Sequence, residues 1–289
     1  MFEQLGLIGC GLMGGSFALA LKQAGLVKRV VGYSKSPSTT ERACQMGVID
    51  VAAPSALLAV SGADIVLMAV PVAASEATFK AIKHMVTPGM LIMDVGSTKG
   101  DVVEAAARGL RDQVGSFVPA HPIAGKELAG VDNADAELYV GKQVILTPTD
   151  LTLATHTQCA TEVWSALGCK VVQMSPESHD AAFAAVSHLP HMLAFTLMNS
   201  VIGQSKGAGY MGLAGPGFRD FTRIAASDPK VWRDILQANR AELLTQCQHF
   251  RDQLALFEAA MLAGDQQTLE ALITQASTAR AAWRMNQLP

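Results

Sequence analysis

A glycine-rich turn between an apolar strand and an apolar helix, close to the first residue, constrains how this chain can fold more than any other feature. Residues 9–14 read GCGLMG, with the apolar run 5–8 before them and the apolar run 16–21 after them. A further apolar run follows at 29–33, which is the spacing of a βαβ unit. The turn lies where such a unit binds phosphate, so it predicts a dinucleotide-binding fold.

The residues of this turn have separate expected roles. Gly9 allows the chain to turn sharply, Gly11 lets the backbone approach a pyrophosphate, and Gly14 lets the helix pack against the strand. The N-terminal end of the helix carries partial positive charge, which attracts the phosphates. Leu12 and Met13 begin this helix, so we expect them to contact the cofactor too.

The end of the second strand indicates which nicotinamide cofactor is bound. Folds that bind NAD usually carry an acid there, about 20 residues after the glycines, for the ribose 2′-hydroxyl. This chain has Ser34, Lys35 and Ser36 instead, with Arg42 nearby. Hydroxyl groups and positive charge suit a 2′-phosphate, so we expect NADP to be preferred, with NAD as the other possibility. The alternative is that Lys35 is an ordinary solvated lysine.

Length and composition favour a soluble protein of two domains. The chain has 289 residues, of which 50% are hydrophobic and 16% are charged. We find no unbroken run of about 18 apolar residues, the length that crosses a bilayer, and Pro71 interrupts the stretch 65–74. Glu3 stands where a signal peptide would carry basic residues. We therefore expect no membrane association and no targeting segment.

Cysteine usage and net charge bear on location and partners. The five cysteines lack CxxC spacing, and an odd number cannot all pair within one chain. Reduced thiols are typical of a cytoplasmic protein, which is the expected location. The net charge is −3 without basic blocks, so nothing favours a nucleic-acid partner.

Alternating strands and helices organise the first part of the chain. Strand-like runs lie at 4–9, 28–33, 64–70, 90–95, 115–119, 142–147 and 169–173. They predict an α/β domain over residues 1–174 with a doubly wound, Rossmann-type sheet. Ligands bind beyond the carboxyl ends of such strands, where Val70, Pro71, Ser97 and His121 are expected to converge. We expect the first three of these residues to contact the cofactor.

Helical periodicity dominates the remainder, residues 175–289, which predicts a second, all-α domain. Ser175 and Pro176 form a helix start, as an N-cap followed by proline at the first helical position. Within 229–262, apolar residues recur at heptad-like spacing: Leu236, Leu243, Cys247, Phe250, Leu254, Phe257 and Met261. Such a seam needs a partner helix, which predicts a homodimer through these helices. The alternative is that the seam packs within one chain.

Two predicted strand ends carry candidate catalytic groups. Histidine suits proton transfer near neutral pH, and of the seven histidines His121 is the best placed, although a structural role is equally open. In segment 94–100, small residues are expected to expose Ser97 and Lys99 to the same crevice. The structural alternative is that Ser97 or Thr98 caps the N-terminus of the next helix, and both roles can coexist.

Histidines of the second domain could suggest a metal site. His188 and His191 flank Pro190, but no neighbouring acid or cysteine completes a ligand set, so we expect no metal. A proline within an apolar helix predicts a kink near a functional surface. The alternative is that both histidines belong to the core or to the domain interface.

Arginines on the helix after the glycine-rich loop 203–217 are candidates for binding an anion. Arg219 and Arg223 are four residues apart and share a helix face, beside aromatic and aliphatic residues. A substrate carboxylate could accept two hydrogen bonds from one guanidinium. Asp220 could instead neutralise an arginine internally.

Five motifs in order resemble the prephenate/arogenate dehydrogenase family of tyrosine biosynthesis: the glycine turn and residues 94–100, 121–127, 187–191 and 217–224. The resemblance spans nearly the whole chain. It implies oxidation of the C4 hydroxyl of a cyclohexadiene dicarboxylate, prephenate or arogenate, with loss of CO₂ and hydride transfer to NAD(P). A broad-specificity cyclohexadienyl dehydrogenase is the central expectation.

The resemblance also implies roles for individual residues. His121 would receive the C4 hydroxyl proton, Ser97 would orient that hydroxyl and the nicotinamide, Arg223 would bind a substrate carboxylate, and Glu127 would lie at the mouth of the site. Four further residues match positions around the pocket: His188, His191, Asp220 and Trp232, the last approaching from the partner subunit.

Two other functions fit part of the sequence. A β-hydroxyacid or imine reductase using NADP would place a catalytic lysine in the first interdomain helix, and residues 176–198 contain none. A module that senses the dinucleotide without turnover would explain the glycine turn. It would leave the expected convergence of His121, Ser97 and Arg223 without a purpose.

Overall fold

The structure is a computed structural model that describes residues 1–126 and 128–284. The strands are β1 (Phe2–Ile8), β2 (Val27–Tyr33), β3 (Val51–Ala52), β4 (Ile65–Met68), β5 (Leu91–Asp94), β6 (Phe117–Val118), β7 (Ala120–Pro122), β8 (Gln143–Leu146) and β9 (Lys170–Gln173). The helices of the first part are α1 (Leu12–Gln23), α2 (Pro37–Gln45), α3 (Ala56–Val60), α4 (Ser75–Ile82), α5 (Gly100–Leu110) and α6 (Ala154–Ala166). The later helices are α7 (Pro176–Phe183), α8 (Leu189–Ile202), α9 (Gly207–Gly212), α10 (Pro216–Thr222), α11 (Pro229–Ala238), α12 (Arg240–Ala263) and α13 (Gln266–Ala282).

The predicted doubly wound sheet is confirmed. Six parallel strands lie in the order β3-β2-β1-β4-β5-β6. Every residue of β4 and β5 is buried, as expected of parallel strands covered on both faces. The strand order reverses direction between β1 and β4, and the crevice at such a point is where these folds bind ligands.

A separate sheet of three strands, in the order β7-β8-β9, holds His121. β7 runs antiparallel to β8 and pairs His121 with Ile145, while β8 and β9 are parallel. The predicted strands 142–147 and 169–173 therefore belong to this second sheet rather than extending the first. The three-residue strand β7 was not predicted, because so short a run carries little periodic signal.

The glycine turn has the geometry that its sequence predicts. Gly9 has φ +99°, and a Cβ there would collide with the backbone of Ala69. A Cβ on Gly14 would collide with the Gly9 carbonyl oxygen and crowd the Leu7 side chain, so α1 packs closely on β1. At Gly11, by contrast, the space around an added Cβ is open within 4 Å.

The helical part begins with one continuous rod of helix, Pro176–Ile202, formed by α7, a π-helical turn at Ala184–His188, and α8. Because a proline lacks an N–H group, Pro190 removes one helical hydrogen bond where the π-helical turn passes into α8. By length and composition this helix could cross a membrane, with a mean hydropathy of 1.4 in a window of which 17% is buried. A large apolar surface is therefore left uncovered by the single chain.

The segment predicted as one long helix is interrupted at Asn239, where α11 ends and α12 begins. Asn239 is buried, and its side chain bonds outside both helices, to the carbonyl oxygen of Asp180 at 2.8 Å. On α12, Leu243 and Cys247 are buried, whereas the seam residues Phe250, Leu254 and Met261 are exposed. The seam is thus only partly covered within one chain.

Candidate active site

A cavity of about 350 Å³ lies over the glycine turn, between the main sheet and α11. Its wall includes seven of the residues predicted to bind cofactor: Gly11, Leu12, Met13, Gly14, Val70, Pro71 and Ser97. Val231, Asp234 and Ile235 close it from the helical part. The open space at Gly11 and the N-terminus of α1 fit a pyrophosphate, so these residues can hold a dinucleotide.

A buried tyrosine that sequence reasoning missed supports this wall. Tyr139 is fully buried, and its hydroxyl donates a hydrogen bond to the carbonyl oxygen of Met13 at 2.7 Å. Its ring packs edge-on to Trp164, with centroids 5.2 Å apart. The first turn of α1 is therefore held from behind by the core.

A second cavity, of about 330 Å³ at the end of β2, is where a bound adenosine ribose would lie. Ser34, Lys35 and Glu41 line it. Ser34 Oγ accepts a hydrogen bond from the backbone N–H of Cys10 at 2.8 Å, so this side chain also braces the glycine turn. Ser36 is exposed and bonds Ser38 at 2.9 Å. Arg42 forms an ion pair with Asp132 at 2.7 Å.

Lys99 is buried, not exposed to the crevice as the sequence led us to expect. Its ammonium group lies 2.5 Å from Asp94 Oδ2 and 2.8 Å from the carbonyl oxygen of Ala120, with 0% of the side chain exposed. Asp94 Oδ1 also accepts from the backbone N–H of Ala120 at 2.9 Å. This ion pair ties the segment that carries Ser97 to the strand that carries His121, and so it positions them without touching a ligand.

His121 is one end of a buried chain of hydrogen-bonded side chains. Its Nδ1 lies 2.8 Å from Nε2 of His179, and Nδ1 of His179 lies 2.8 Å from Oδ1 of Asp180. Asp180 accepts from the backbone N–H groups of Lys99 and Gly100 at 2.9 and 2.8 Å. Asp180, rather than Ser97, therefore caps the N-terminus of α5.

Burial and neighbouring charges keep these histidines neutral. Burial holds the pKa of His121 well below its ordinary value of 6.5, and nearby His179, Lys99 and His188 lower it further. Burial also lowers the pKa of His179, against the opposing effect of its hydrogen bond to Asp180. For Asp180, burial acts to raise the pKa, but the bonds from His179 and from two backbone N–H groups outweigh it, and the net pKa is lowered. Before a substrate binds, Asp180 is therefore ionised, and His179 and His121 are neutral.

His188 lies beneath this chain, with 1% of the residue exposed. Its Nδ1 is 3.1 Å from Nδ2 of Asn239, so this nitrogen accepts and the ring proton is on Nε2. Burial lowers the pKa of His188 to about 4. The backbone of Ser97 is near enough to influence that pKa, although within residues 1–126 and 128–284 no hydrogen bond of good geometry reaches Nε2.

A third and larger cavity, of about 940 Å³, has cationic walls. Lys126, His191, Arg219 and Arg223 line it, so the two arginines share a face as predicted. His191 stacks on Trp232 of the same chain, with ring centroids 3.5 Å apart. The resemblance implied that Trp232 approaches from the partner subunit, and this stays a prediction beside the contact within one chain.

One other predicted substrate residue, Asp220, does not line this wall. Asp220 is exposed and pairs with Arg219 at 3.0 Å, which is the internal neutralisation that the sequence left open. Glu127 lies outside the residues that the structure describes.

Sequence reasoning missed His179, Asp180 and Asn239. The first two follow directly after the helix start at Ser175, and the His-Asp pair in the opening turns of α7 was the available signal. Nothing in the local sequence marks Asn239, because its partners lie 59 and 51 residues earlier in the chain.

Comparisons with known proteins agree with this geometry. Residues 17–173 match the family model described as prephenate dehydrogenase, nucleotide-binding domain, and residues 175–275 match the one described as prephenate dehydrogenase, dimerization domain. The cyclohexadienyl dehydrogenase of Zymomonas mobilis is 35% identical over 92% of this chain and 90% of its own length. The prephenate dehydrogenase of Bacillus subtilis is 36% identical over 84% of this chain and 66% of its own length.

Solved structures give the same result. Prephenate dehydrogenase from Aquifex aeolicus, in complex with hydroxyphenyl propionate and NAD⁺, superposes with a TM-score of 0.89 at 35% identity, over 97% of this chain and 98% of that one. Arogenate dehydrogenase from Synechocystis superposes with a TM-score of 0.83 at 29% identity, over 96% of this chain and 99% of that one. This chain belongs to the prephenate dehydrogenase family, a family of nicotinamide-dependent oxidoreductases.

Proposed function

We propose that this enzyme oxidises and decarboxylates prephenate and arogenate in tyrosine biosynthesis, reducing a nicotinamide dinucleotide. The observation that carries the proposal is the adjacency of three parts. The dinucleotide cavity ends at Ser97, the Lys99–Asp94 pair joins that segment to His121, and a cavity with cationic walls lies at the helical side. A reductase of β-hydroxyacids or imines is disfavoured, because such an enzyme would place a catalytic lysine in the first interdomain helix, and residues 176–198 contain no lysine.

His121 acts as the proton acceptor in this proposal. Nδ1 of His121 is engaged with His179, which leaves Nε2 as the nitrogen that can accept a hydroxyl proton. The neutral ring is ready to do so, since burial keeps its pKa low. Ser97, in the wall of the dinucleotide cavity, orients the hydroxyl. When bound, the nicotinamide supplies the hydride acceptor.

Arg223 binds a substrate carboxylate in the cationic cavity. A charge-assisted, bidentate hydrogen bond contributes about 1.5–3 kcal/mol, so Arg223→Ala should raise KM by about tenfold or more and change kcat less. Arg219→Ala is the matched comparison, because Arg219 lines the same cavity and its removal takes away the same charge. An unchanged KM in Arg223→Ala would remove this residue from substrate binding.

The cofactor is NADP in preference to NAD. Support comes from Ser34 and Lys35 in the cavity at the end of β2, and from the absence of an acid at residue 34. The carboxylate of Glu41 in the same cavity opposes a 2′-phosphate. Ser34→Asp should shift the preference towards NAD, and the new carboxylate can still accept from the Cys10 N–H group. Glu41→Gln should shift it the other way. If neither variant changes the ratio of kcat/KM values, the determinant lies elsewhere.

The working enzyme is a cytoplasmic homodimer in which the exposed seam of α12 and the apolar face of Pro176–Ile202 pack against a second copy. Support comes from the dimerization-domain match and from the exposed Phe250, Leu254 and Met261.

Initial rates of nicotinamide reduction, with prephenate and arogenate each tested against NAD and NADP, test the proposal directly. We expect turnover of both substrates, faster with NADP. No turnover in any combination, by folded protein that still binds NADP, would contradict the proposed activity.

A further inference from the structure

The hydrogen bonds that join His121, His179 and Asp180 determine which ring nitrogens of the two histidines carry a proton. The carboxylate of Asp180 can only accept, so Nδ1 of His179 carries a proton and its Nε2 does not. Nε2 of His179 must then accept from Nδ1 of His121. Nε2 of His121 is left without a proton, which is the form a base requires. The tautomer of His121 is therefore set by His179 and Asp180.

Charges around the chain differ between its two rings. His121 faces Lys99, His188 and His179, each of which disfavours a positive charge on it. His179 also faces Lys99, but it faces the carboxylates of Asp180 and Asp94 as well. A proton is therefore better placed on His179 than on His121, because opposite charges in a buried site stabilise each other.

The hydrogen-bonded side chains of His121, His179 and Asp180 are held in fixed positions, so that a proton can pass along them. His179 has 0% of its side chain exposed and stacks on Phe183 with centroids 4.4 Å apart. Asp180 is fixed by the backbone N–H groups of Lys99 and Gly100, and Asn239 holds its carbonyl oxygen. Neither side chain needs to move for a proton to pass between atoms that are 2.8 Å apart.

We propose that His121 and His179 accept the substrate proton as one unit, with Asp180 stabilising the charge. The hydroxyl O–H bond breaks and an Nε2–H bond forms on His121. At the same time the Nδ1–H bond of His121 breaks and an Nε2–H bond forms on His179. The electron pair of the O–H bond stays on the oxygen as the ring carbon gives up its hydride, and the positive charge is held on His179 beside Asp180.

This inference rests on the proposed role of His121 as the proton acceptor. In this proposal His179 and Asp180 position His121 for the reaction. In addition, His179 holds the positive charge and Asp180 stabilises it. After product leaves, His179 returns its proton to Nδ1 of His121, and Nε2 of His121 releases the substrate proton to water.

His179→Gln separates the two tasks, because the Gln carbonyl oxygen can accept from Nδ1 of His121 but cannot take a proton. Single-turnover rates of hydride transfer should be measured in mixtures of H₂O and D₂O and across pH. The parent should show a curved dependence on deuterium fraction, from two protons in motion, and the variant a linear one. In the variant, the rate should fall, by up to about tenfold for each unit by which the pKa of the proton acceptor is lowered.

The pH profile gives an independent readout. Without the Asp180 carboxylate to stabilise the charge, or without the His179 ring to hold it, the two-ring unit binds the substrate proton less tightly, so the acid limb of the rate profile should move to lower pH in both Asp180→Asn and His179→Gln. His156→Gln is the matched control: His156 is also buried, but it bonds the Met90 carbonyl oxygen, away from this chain. It should change neither the acid limb nor the isotope curve, whatever it does to thermal stability.

The outcomes are distinguishable. A linear isotope dependence in the parent, or variants whose acid limb stays in place, would overturn the two-ring unit even if His121→Asn abolishes turnover. Full activity of His121→Asn would instead overturn the role of His121 itself. If Asp180→Asn fails to fold because the α5 N-terminus loses its cap, His179→Gln alone still decides the question.

Discussion

At the scale of single residues, the site depends on which side chains stay neutral. Burial lowers the pKa of His121, His179, His188 and His191 below the ordinary value, while Asp180 stays ionised. A positively charged nicotinamide would be repelled by protonated histidines nearby. Neutral rings allow the cofactor and the proton acceptor to occupy the same crevice.

His121→Asn should keep cofactor binding and lose turnover. The loss of a general base lowers kcat by about 10²–10⁴-fold. Dinucleotide affinity depends on the glycine turn, which this change does not touch. Fluorescence titration with NADP and single-turnover kinetics measure the two properties separately. Weakened cofactor binding with normal turnover would contradict this division of roles.

Stability should fall in acid because of His188. The unfolded chain protonates this ring below its ordinary pKa of 6.5, whereas in the fold the pKa is lowered to about 4. The unfolded state therefore binds more protons between these values, and the contribution of His188, present in full above pH 6.5, is lost as the pH falls towards 4.

Urea unfolding at a series of pH values measures this effect. In this window His188→Gln should lower the slope of unfolding free energy by about 1.4 kcal/mol per pH unit. The exposed His84, replaced by Gln, is the control and should leave the slope unchanged. Equal slopes in His188→Gln and the parent would show that His188 is protonated in the fold.

Whether the role of a single residue could be predicted depended on whether that residue lies at a recognisable strand end or turn. The glycine turn and Ser97 were located because strand ends converge in a parallel sheet. Lys99 was misplaced, because only the fold reveals that Asp94 lies within reach of its ammonium group. His179 was missed because its importance comes from His121, 58 residues earlier in the chain.

At the scale of elements, the βα unit of the glycine turn is the most constrained part of the molecule. β1, α1 and β4 approach each other so closely that the turn leaves no room for a side chain at Gly9 or Gly14. The apolar runs in the sequence predicted these elements well, since each is apolar and they follow the spacing of a βαβ fold. Periodicity failed at α11 and α12, because heptad spacing continues across Asn239 while the helix does not.

Gly14→Ala should destabilise this unit and weaken cofactor binding together. The new methyl group would meet the Gly9 carbonyl oxygen and the Leu7 side chain, and such overpacking costs about 1–3 kcal/mol. Gly89→Ala is the control, because an added Cβ there has open space within 4 Å. Thermal unfolding and NADP titration of both variants provide the comparison. An equally stable Gly14→Ala would mean that α1 can shift away from β1.

At the scale of the whole molecule, the two parts of the chain differ in how much of their apolar surface is buried within a single chain. The dinucleotide part closes around a core that includes Phe17, Trp164 and Tyr139. The helical part leaves large apolar side chains in contact with solvent along α12 and α13, among them Leu254, Leu262 and Ile273. Sequence periodicity predicted the part of this surface that lies on α12.

Leu254→Glu should weaken or prevent dimer formation. A charge placed in an apolar interface must be desolvated without a partner, which costs several kcal/mol. Leu151→Glu is the control, since Leu151 is equally a surface leucine but lies in the dinucleotide part. Sedimentation at several concentrations measures the association. An unchanged dimer in Leu254→Glu would locate the interface elsewhere.

Asn239 joins the helix that carries the seam to the residues behind the proton acceptor. One amide group bonds the carbonyl oxygen of Asp180 and Nδ1 of His188, while the same residue begins α12. A reorientation of α12 can therefore reach the residues behind the catalytic base through this side chain. An inhibitor aimed at this joint would not have to compete with substrate or cofactor, because it would act on the alignment of His121 and leave both binding sites open to their ligands.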